Sequence, residues 1–294
     1  MKICQDIIDK QFDLNQRKNL FYSGILNSLR FSPETLDTIE RIGLIDSNSE
    51  NVLINYLTNK ALQEFCGVNQ YFNFDKQAQL DLRNIYVELF SNIKNRKSSI
   101  DSIAEKHYDN LTKWLKSTNL FAEMIYTSKG EMIESVVCSE YNPDLQIEIL
   151  QIDFNQLIEP VLDIGCGKQG NLVLCLRQKG IDAYGFDRFA YDNSFLTNSD
   201  WFEYKFEKDK WGTITSNLGF SNHFQHHHFR NDGNIIGYAK KYMDILSSLK
   251  IGGCFHYAPD LPFVEQYLDK DKYQLIKRRV DNYEFKSTKI KRLK

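Results

Sequence analysis

The sequence predicts an α/β fold in the second half of the chain and an all-helical region before it. Residues 160–164 form a short apolar run bounded by proline and glycine, which is typical of a buried strand. A glycine-rich turn follows at 165–170, and 171–179 has apolar residues at helical spacing. A second apolar run then ends at Asp187. Such a strand-turn-helix-strand unit is typical of nucleotide binding, because glycines allow close backbone approach and an acid can accept bonds from ribose hydroxyls.

The composition restricts the class of protein. With 294 residues the chain is long enough for one large domain or two modest ones. A formal net charge of -2 argues against a protein that coats nucleic acid. The start of the sequence lacks an apolar signal core, and no run is long enough to cross a bilayer. The six cysteines are scattered without C-x-x-C pairs, as expected of free thiols. We therefore expect a soluble, cytoplasmic protein without a membrane partner.

The first half of the chain, residues 1–139, is predicted to be a helical N-terminal domain of about five or six helices. Ser32 precedes a proline and an early acid, which indicates a helix start, and 75–95 is amphipathic. The next helix has Ser98 and Asp101 as its predicted capping pair. His107 on that helix is predicted to be a surface or boundary residue. This domain could cover a site as a lid and select substrate, or it could form a homo-oligomer or bind a partner.

The identity of the nucleotide depends on the residues around the glycine turn. Gly165, Gly167 and Gly170 match G-x-G-x-x-G, and Asp187 lies near the distance expected for a dinucleotide fingerprint, so NAD is allowed. Asp163 argues for a different ligand. Its carboxylate lies where a pyrophosphate would bind, so it would repel that group and attract an ammonium or sulfonium.

The end of the chain carries a second pattern. A β-branched strand is predicted at 211–217, a helix at 235–249, and a tight Gly-Gly turn at 252–253 before a fifth strand. Two terminal strands at 272–280 and 283–291 would then close the sheet as an antiparallel hairpin. Such a hairpin is not expected of a dehydrogenase.

Together, Asp163-x-Gly165-x-Gly167, Asp187 and this closing pattern resemble the class I (Rossmann-like) S-adenosylmethionine-dependent methyltransferases, over residues 141–294. The resemblance implies an α/β, doubly wound seven-stranded sheet with a C-terminal antiparallel hairpin, as a domain spanning 140–294. It also implies S-adenosylmethionine (SAM) as cofactor and S-adenosylhomocysteine as product.

The resemblance implies a set of cofactor contacts. Asp163 would favour the cationic methionine end, and Asp187 would hold the ribose. Asp200 with Trp201 would hold the adenine, although a role of Asp200 as a turn residue is an equal alternative. Tyr141 would lie in an element that folds over the cofactor, although a packing role is an equal alternative. The full predicted cofactor-binding set is Asp163, Gly165, Cys166, Gly167, Gly170, Asp187, Arg188, Asp200, Trp201, Asn217, Tyr141 and Gln146.

Catalytic residues are predicted at the end of the fourth strand and in the loop after it, which face the transferred methyl group in this class. Asn217 and His223 are the candidates, with His223 acting as a general base or as a substrate orienter. The run His226–His228 invites a metal interpretation. Consecutive histidines point in different directions, however, and no cysteine pair completes a tetrahedral set, so no metal site is predicted.

Three functions remain open at this stage. The first is transfer of a methyl group to an O or N acceptor on a small molecule, with protein and RNA substrates as alternatives. The absence of an N-P-P-Y type tetrad weakens the case for amino methylation of nucleic-acid bases. The second is a non-catalytic SAM-binding sensor or scaffold, and the third is an NAD-dependent oxidoreductase. The basic residues near the C-terminus are interpreted as the solvated faces of edge strands.

Overall fold

A computed structural model describes residues 2–41, 45–95, 97–135 and 141–294. The chain divides into two compact units, Met1–Val137 and Cys138–Lys294. No described helix has the length and apolarity needed to span a membrane.

The described part of the first unit contains six α-helices and one short 3-10 helix, Ile25–Asn27. The α-helices are α1 (Lys2–Asn15), α2 (Pro33–Arg41), α3 (Ser47–Val68), α4 (Lys76–Asn95), α5 (Ile100–Thr118) and α6 (Leu120–Tyr126). The Ser32 hydroxyl accepts a hydrogen bond from the Thr35 amide at 3.1 Å, as its position before α2 indicated. The cap of α5 is Ser99 and not Ser98, because the Ser99 hydroxyl accepts from the Ser102 amide at 3.3 Å.

The predicted surface position of His107 is wrong. Its side chain is buried, with a relative exposure of 7%. Ile103, His107 and Leu111 are spaced four residues apart on α5, so they share one helical face, and that face points into the core. The spacing of the neighbouring apolar residues therefore outweighs the polarity of the imidazole.

The second unit is an α/β sandwich of helices on both faces of one sheet. Its helices are α7 (Pro143–Leu150), α8 (Asn171–Gln178), α9 (Phe220–His228), α10 (Ile235–Ser248) and α11 (Pro262–Glu265), with a 3-10 helix at Phe154–Gln156. Its strands are β1 (Val161–Ile164), β2 (Ala183–Asp187), β3 (Leu196–Asn198), β4 (Trp211–Asn217), β5 (Leu249–Ala258), β6 (Tyr273–Arg279) and β7 (Lys286–Arg292).

The strands form a seven-stranded sheet in the order β3-β2-β1-β4-β5-β7-β6. Strands β1 to β5 are parallel to one another, whereas β7 is antiparallel to both β5 and β6. Leu162 and Ile164 of β1 pack in one apolar cluster with α9 and α10, and Val161 packs in a second cluster with α7 and α8. The doubly wound sheet and its closing hairpin, predicted from the sequence, are confirmed.

The Gly252–Gly253 pair lies within β5 and not in a turn before it. The β4–β5 register shifts between Trp211 and Thr213, so the pair accompanies a local irregularity in the ladder. Gly252 has φ +82°, which strains any side chain, and a Cβ on Gly253 would lie 2.8 Å from the Gly212 carbonyl oxygen.

Candidate functional site at the carboxyl edge of the sheet

The glycine turn after β1 has a backbone that requires glycine. Gly165, Gly167 and Gly170 all have left-handed φ values, of +72°, +76° and +65°. A Cβ on Gly170 would lie 2.6 Å from Leu196 Cδ2, so this residue also lets α8 pack closely on β3. A Cβ on Gly165 would lie 3.7 Å from the ring of Trp201. The first glycine of the turn therefore faces a predicted cofactor-binding residue.

Asp163 is a buried carboxylate with one oxygen unpaired. Its relative exposure is 1%, and Oδ1 accepts a hydrogen bond from Thr215 Oγ1 at 2.7 Å. Oδ2 is buried and has no hydrogen-bond partner among the described residues. Burial raises the pKa of Asp163 to about 7, and the negative charge of Asp187 adds to this, while the Thr215 bond opposes it. A cation or a hydrogen-bond donor placed beside Oδ2 would stabilise the ionised form of this carboxyl.

Asp187 ends β2, next to the glycine turn. Its Oδ1 accepts a hydrogen bond from the Phe189 amide at 2.9 Å, and the Gly167 amide also donates to the carboxylate. Burial raises its pKa, and these hydrogen bonds and Arg188 oppose the rise. The turn and the acid at the end of β2 are therefore held together by direct contact.

Asp200 and Trp201 lie in a turn just beyond β3, which ends at Asn198. Asp200 Oδ1 accepts from the Phe202 amide at 2.7 Å, so part of this carboxylate stabilises the turn. The Trp201 ring lies with its centroid 4.7 Å from that of His223, in an edge-on arrangement. The structure thus brings Trp201, Gly165 and His223 together.

Asn217 is the last residue of β4 and has a relative exposure of 6%. Both polar atoms of its amide, Nδ2 and Oδ1, are buried without a partner in the described part of the chain. Buried amides are normally hydrogen-bonded, so an unpaired one at the end of a strand is suited to contact a ligand. Leu218, directly after it, has φ +53°, an unusual value for a leucine.

His223 lies on a helix and not in a loop, which corrects the prediction for this segment. Helix α9 begins at Phe220, three residues after β4 ends, and the Ser216 hydroxyl accepts from the Phe220 amide at 3.2 Å, which satisfies a donor at the start of the helix. The pKa of His223 is well below its ordinary value because of burial, with the positive charge of Arg188 next in size. The imidazole is therefore neutral at neutral pH.

The remaining predicted cofactor residues surround this edge. Arg188 acts electrostatically on Asp187, Asp200 and His223. Tyr141 packs against the apolar cluster that contains Cys166. Gln146 is buried, and its Nε2 donates to the Tyr141 carbonyl at 2.9 Å. That bond uses one of the two N–H donors of the Gln146 amide within its own segment, which supports packing as one role of this side chain.

The three consecutive histidines of α9 point to three different partners. His226 Nε2 lies 3.1 Å from an Arg230 nitrogen, and His227 Nδ1 accepts from the Asn234 amide at 3.1 Å. The His228 ring stacks on Phe263 at a centroid distance of 3.8 Å. Among the described residues, no group of three or more His, Cys, Asp and Glu side chains could hold a metal ion.

Thr215 was missed by the sequence analysis. It lies opposite Asp163 in the parallel β1–β4 register, and its hydroxyl is the hydrogen-bond donor to that acid. Side chains alternate along a strand, so Thr215 and Asn217 share one face of β4. A signal was therefore available: a threonine lies two residues before the candidate amide, on the strand predicted at 211–217.

No protein-family model and no curated protein matches the chain. Among solved structures, a TehB-like SAM-dependent methyltransferase from Corynebacterium glutamicum is 17% identical, with 45% of this chain and 79% of that one covered and a TM-score of 0.34. The 1,6-didemethyltoxoflavin-N1-methyltransferase of Burkholderia thailandensis, solved with S-adenosylhomocysteine, is 13% identical, with coverages of 46% and 71% and a TM-score of 0.34. A SAM-dependent methyltransferase from Methanosarcina mazei is 11% identical, with coverages of 48% and 96% and a TM-score of 0.33.

Because these identities and TM-scores are low, the fold is assigned from the strand order and strand directions of this chain itself. A seven-stranded sheet in which β7 is inserted antiparallel between β5 and β6 is the architecture of the class I SAM-dependent methyltransferases. The resemblance stated from the sequence is confirmed at the level of the fold.

Proposed function

We propose that the chain is a SAM-dependent methyltransferase that transfers a methyl group to an O or N atom of a small molecule. The observation that carries this proposal is the buried carboxylate of Asp163. One of its oxygens has no hydrogen-bond partner among the described residues. Asp163 lies on the strand that leads directly into the left-handed glycine turn.

The charge around the turn favours a cationic ligand over a pyrophosphate. Asp163 and Asp187 interact electrostatically, and each has a raised pKa. A pyrophosphate at this turn would add negative charge beside both acids, whereas an ammonium or sulfonium would offset the cost of burying them. This argument supports SAM over NAD as the cofactor.

The residues present fit SAM. Asp163 Oδ2 would accept from the methionine end, and the backbone of Gly165–Gly167 would lie against the ligand. Asp187 would hold the ribose hydroxyls, and the Asp200–Trp201 turn would hold the adenine. When bound, SAM supplies an activated methyl group, so the protein has to align an acceptor and exclude water.

Asn217 and His223 are proposed to position that acceptor. The Asn217 amide offers both a donor and an acceptor that lack partners in the described chain. His223 is a neutral hydrogen-bonding group, and protonating it beside Arg188 would be unfavourable. Its lowered pKa therefore favours a role as an orienting residue over a role as a strong general base. The Trp201 ring packs against His223 and also against Phe220 and Tyr238, so His223 lies at the edge of an aromatic cluster.

The first test is calorimetric titration of the whole chain with SAM, S-adenosylhomocysteine and NAD in parallel. We expect micromolar binding of the first two and none of NAD. Asp187→Ala should weaken SAM binding by about tenfold or more, because hydrogen bonds to a charged acceptor are lost. Asp182→Ala is the matched control, since Asp182 is an exposed acid directly before the first residue of the strand that Asp187 ends. If Asp187→Ala bound SAM with unchanged affinity, Asp187 would not be a SAM-binding residue.

The acceptor class is tested by incubating the protein with SAM that carries a labelled methyl group. The label should appear in a small-molecule fraction and not in protein or RNA fractions of the same extract. Tight SAM binding without transfer to any fraction would favour the sensor or scaffold function. Binding of NAD alone would contradict the proposal.

A further inference from the structure

The first unit contains a cavity that the proposed methyltransferase site does not include. Its volume is about 180 Å³, and its wall is formed by residues from α1 to α5 and the segments that join them. Most of the lining is aliphatic or aromatic, with Ile8, Leu53, Phe90 and Leu111 as examples. For comparison, an engineered cavity of about 150 Å³ with a similar apolar lining binds benzene. The volume is therefore sufficient for a single substituted ring.

One side of the cavity carries a buried histidine among aromatic rings. The His107 ring lies 5.3 Å from those of Tyr86 and Tyr108 and 6.5 Å from that of Phe31, centroid to centroid, and all four residues line the cavity. Nδ1 of His107 is buried and has no hydrogen-bond partner among the residues described. A buried polar nitrogen without a partner is destabilising unless a ligand or solvent satisfies it.

The same side of the cavity offers a hydroxyl. Tyr108 Oη accepts from Asn15 Nδ2 at 2.8 Å and from Gln11 Nε2 at 3.4 Å, and its own hydrogen can therefore be donated. A ligand with one oxygen could accept from Tyr108, donate to His107, or do both.

We propose that this cavity binds a small, neutral ring compound that carries a single hydroxyl or carbonyl oxygen, such as a phenol. The ring occupies the apolar space. A hydroxyl on the ligand donates to His107 Nδ1, and a carbonyl accepts from the Tyr108 hydroxyl.

A neutral ligand fits the electrostatics of the cavity better than a carboxylate. Burial lowers the pKa of His107 to about 4, so its imidazole is uncharged at neutral pH. Three charged residues line the cavity. Lys18 Nζ donates to the Ser28 carbonyl at 2.6 Å, Glu64 pairs with Lys60 at 3.0 Å, and Arg17 is exposed to solvent. A carboxylate placed against the neutral imidazole of His107 would lose its hydration without gaining a counter-charge there.

The test is binding of p-cresol, toluene and benzoate to the full chain, by calorimetry and by the shift in melting temperature. We expect p-cresol to bind one to one and to raise the melting temperature, toluene to bind about tenfold more weakly because it leaves His107 unpaired, and benzoate not to bind. The proposal would be overturned if neither p-cresol nor toluene bound in either assay, or if benzoate bound more tightly than p-cresol.

Two variants locate the ligand. His107→Leu should remove the preference for p-cresol over toluene, while Glu105→Leu, at an exposed position of the same helix, should retain it. Ala61→Leu, which adds volume at a buried lining position, should weaken binding of both ring compounds without changing SAM affinity. Binding of p-cresol that is unchanged in both His107→Leu and Ala61→Leu would place the ligand elsewhere and refute the assignment. The readouts do not depend on methyl transfer, so failure here is distinct from failure of the proposed function.

Discussion

Replacing Asp163 by asparagine should stabilise the protein while weakening cofactor binding. The substitution retains the size of the side chain and an acceptor for the Thr215 hydroxyl, but it removes a charge from a group with a relative exposure of 1%. A buried carboxylate without a counter-charge is destabilising when it is ionised. The native residue is therefore interpreted as a group kept for ligand binding at the expense of stability.

The size of the effect follows from the pKa of the carboxyl. Because a tenfold change in proton affinity corresponds to about 1.4 kcal/mol, raising the pKa from 3.8 to about 7 corresponds to about 4 kcal/mol above neutral pH. The new Nδ2 would lie where Oδ2 has no partner, and an unpaired buried amide costs about 1–3 kcal/mol. We therefore expect Asp163→Asn to raise the free energy of unfolding by about 1–3 kcal/mol at pH 8.

The pH dependence gives a second check of the same reasoning. The folded protein binds the Asp163 proton more tightly than the unfolded chain does, so this group lowers stability as the pH rises from 3.8 to about 7. Near pH 4 the charge penalty of the wild type is almost absent, so the cost of the unpaired amide should make Asp163→Asn the less stable protein. The difference should change sign as the pH rises and should reach its full positive value above pH 7. Wild-type affinity for SAM should fall as the pH decreases through 7, because the carboxyl becomes protonated.

Urea unfolding of both proteins across this pH range, with calorimetry of SAM binding, measures these quantities. Asp182→Asn is the control, since it removes a negative charge from the exposed end of β2 and should change neither quantity strongly. A loss of stability in Asp163→Asn at pH 8, or unchanged SAM affinity, would refute the reasoning.

The other two predictions concern His223 and Gly170. His223→Ala should reduce turnover by about tenfold or more with little change in SAM affinity, whereas His226→Ala, on the same helix, should retain activity; full activity in His223→Ala would limit this residue to packing. Gly170→Ala should lower the free energy of unfolding by about 2 kcal/mol or more, because a left-handed φ of +65° is combined with a Cβ 2.6 Å from Leu196 Cδ2. Gly180→Ala is the control, because Gly180 has φ +81° but no atom within 4 Å of an added Cβ. It should lose only about 1 kcal/mol of unfolding free energy, from backbone strain. An equal loss in the two variants would show that Leu196 moves away from the new Cβ of Gly170→Ala.

Local patterns in the sequence were sufficient for most strands and helices of the second unit. The fourth strand was predicted at 211–217 and is observed at Trp211–Asn217, because its β-branched run is bounded by clear turn residues. The order of the strands in the sheet, by contrast, could not be predicted from local patterns. It depends on contacts distant in the chain, such as the insertion of β7 beside β5, and it was inferred only through the resemblance to a family.

The histidines show where local patterns were insufficient. A histidine has no fixed place in an apolar or polar pattern, so its burial depends on its neighbours. His107 shares a face with Ile103 and Leu111, and that face could be read from the four-residue spacing. His223 could not be placed in the same way, because the start of α9 depends on the bond from the Phe220 amide to the Ser216 side chain. A glycine followed by Phe, Ser and Asn gives no strong helix signal.

Buried polar side-chain atoms without a hydrogen-bond partner in the described chain occur at three positions of β1 and β4. Asp163 and Asn217 lie at the carboxyl edge, where they support a ligand site, and Trp211 lies at the other end of β4. Other buried polar groups on the same two strands are paired: the Thr215 hydroxyl donates to Asp163 Oδ1, and the Ser216 hydroxyl donates to the Ile164 carbonyl at 3.0 Å. These buried groups are satisfied within the sheet. Asp163 Oδ2 and the amide of Asn217 are not satisfied by described residues, although they are equally enclosed. A ligand that offers a cation to the acid and hydrogen-bonding groups to the amide would complete both, so the two residues should contribute to ligand binding more than to folding.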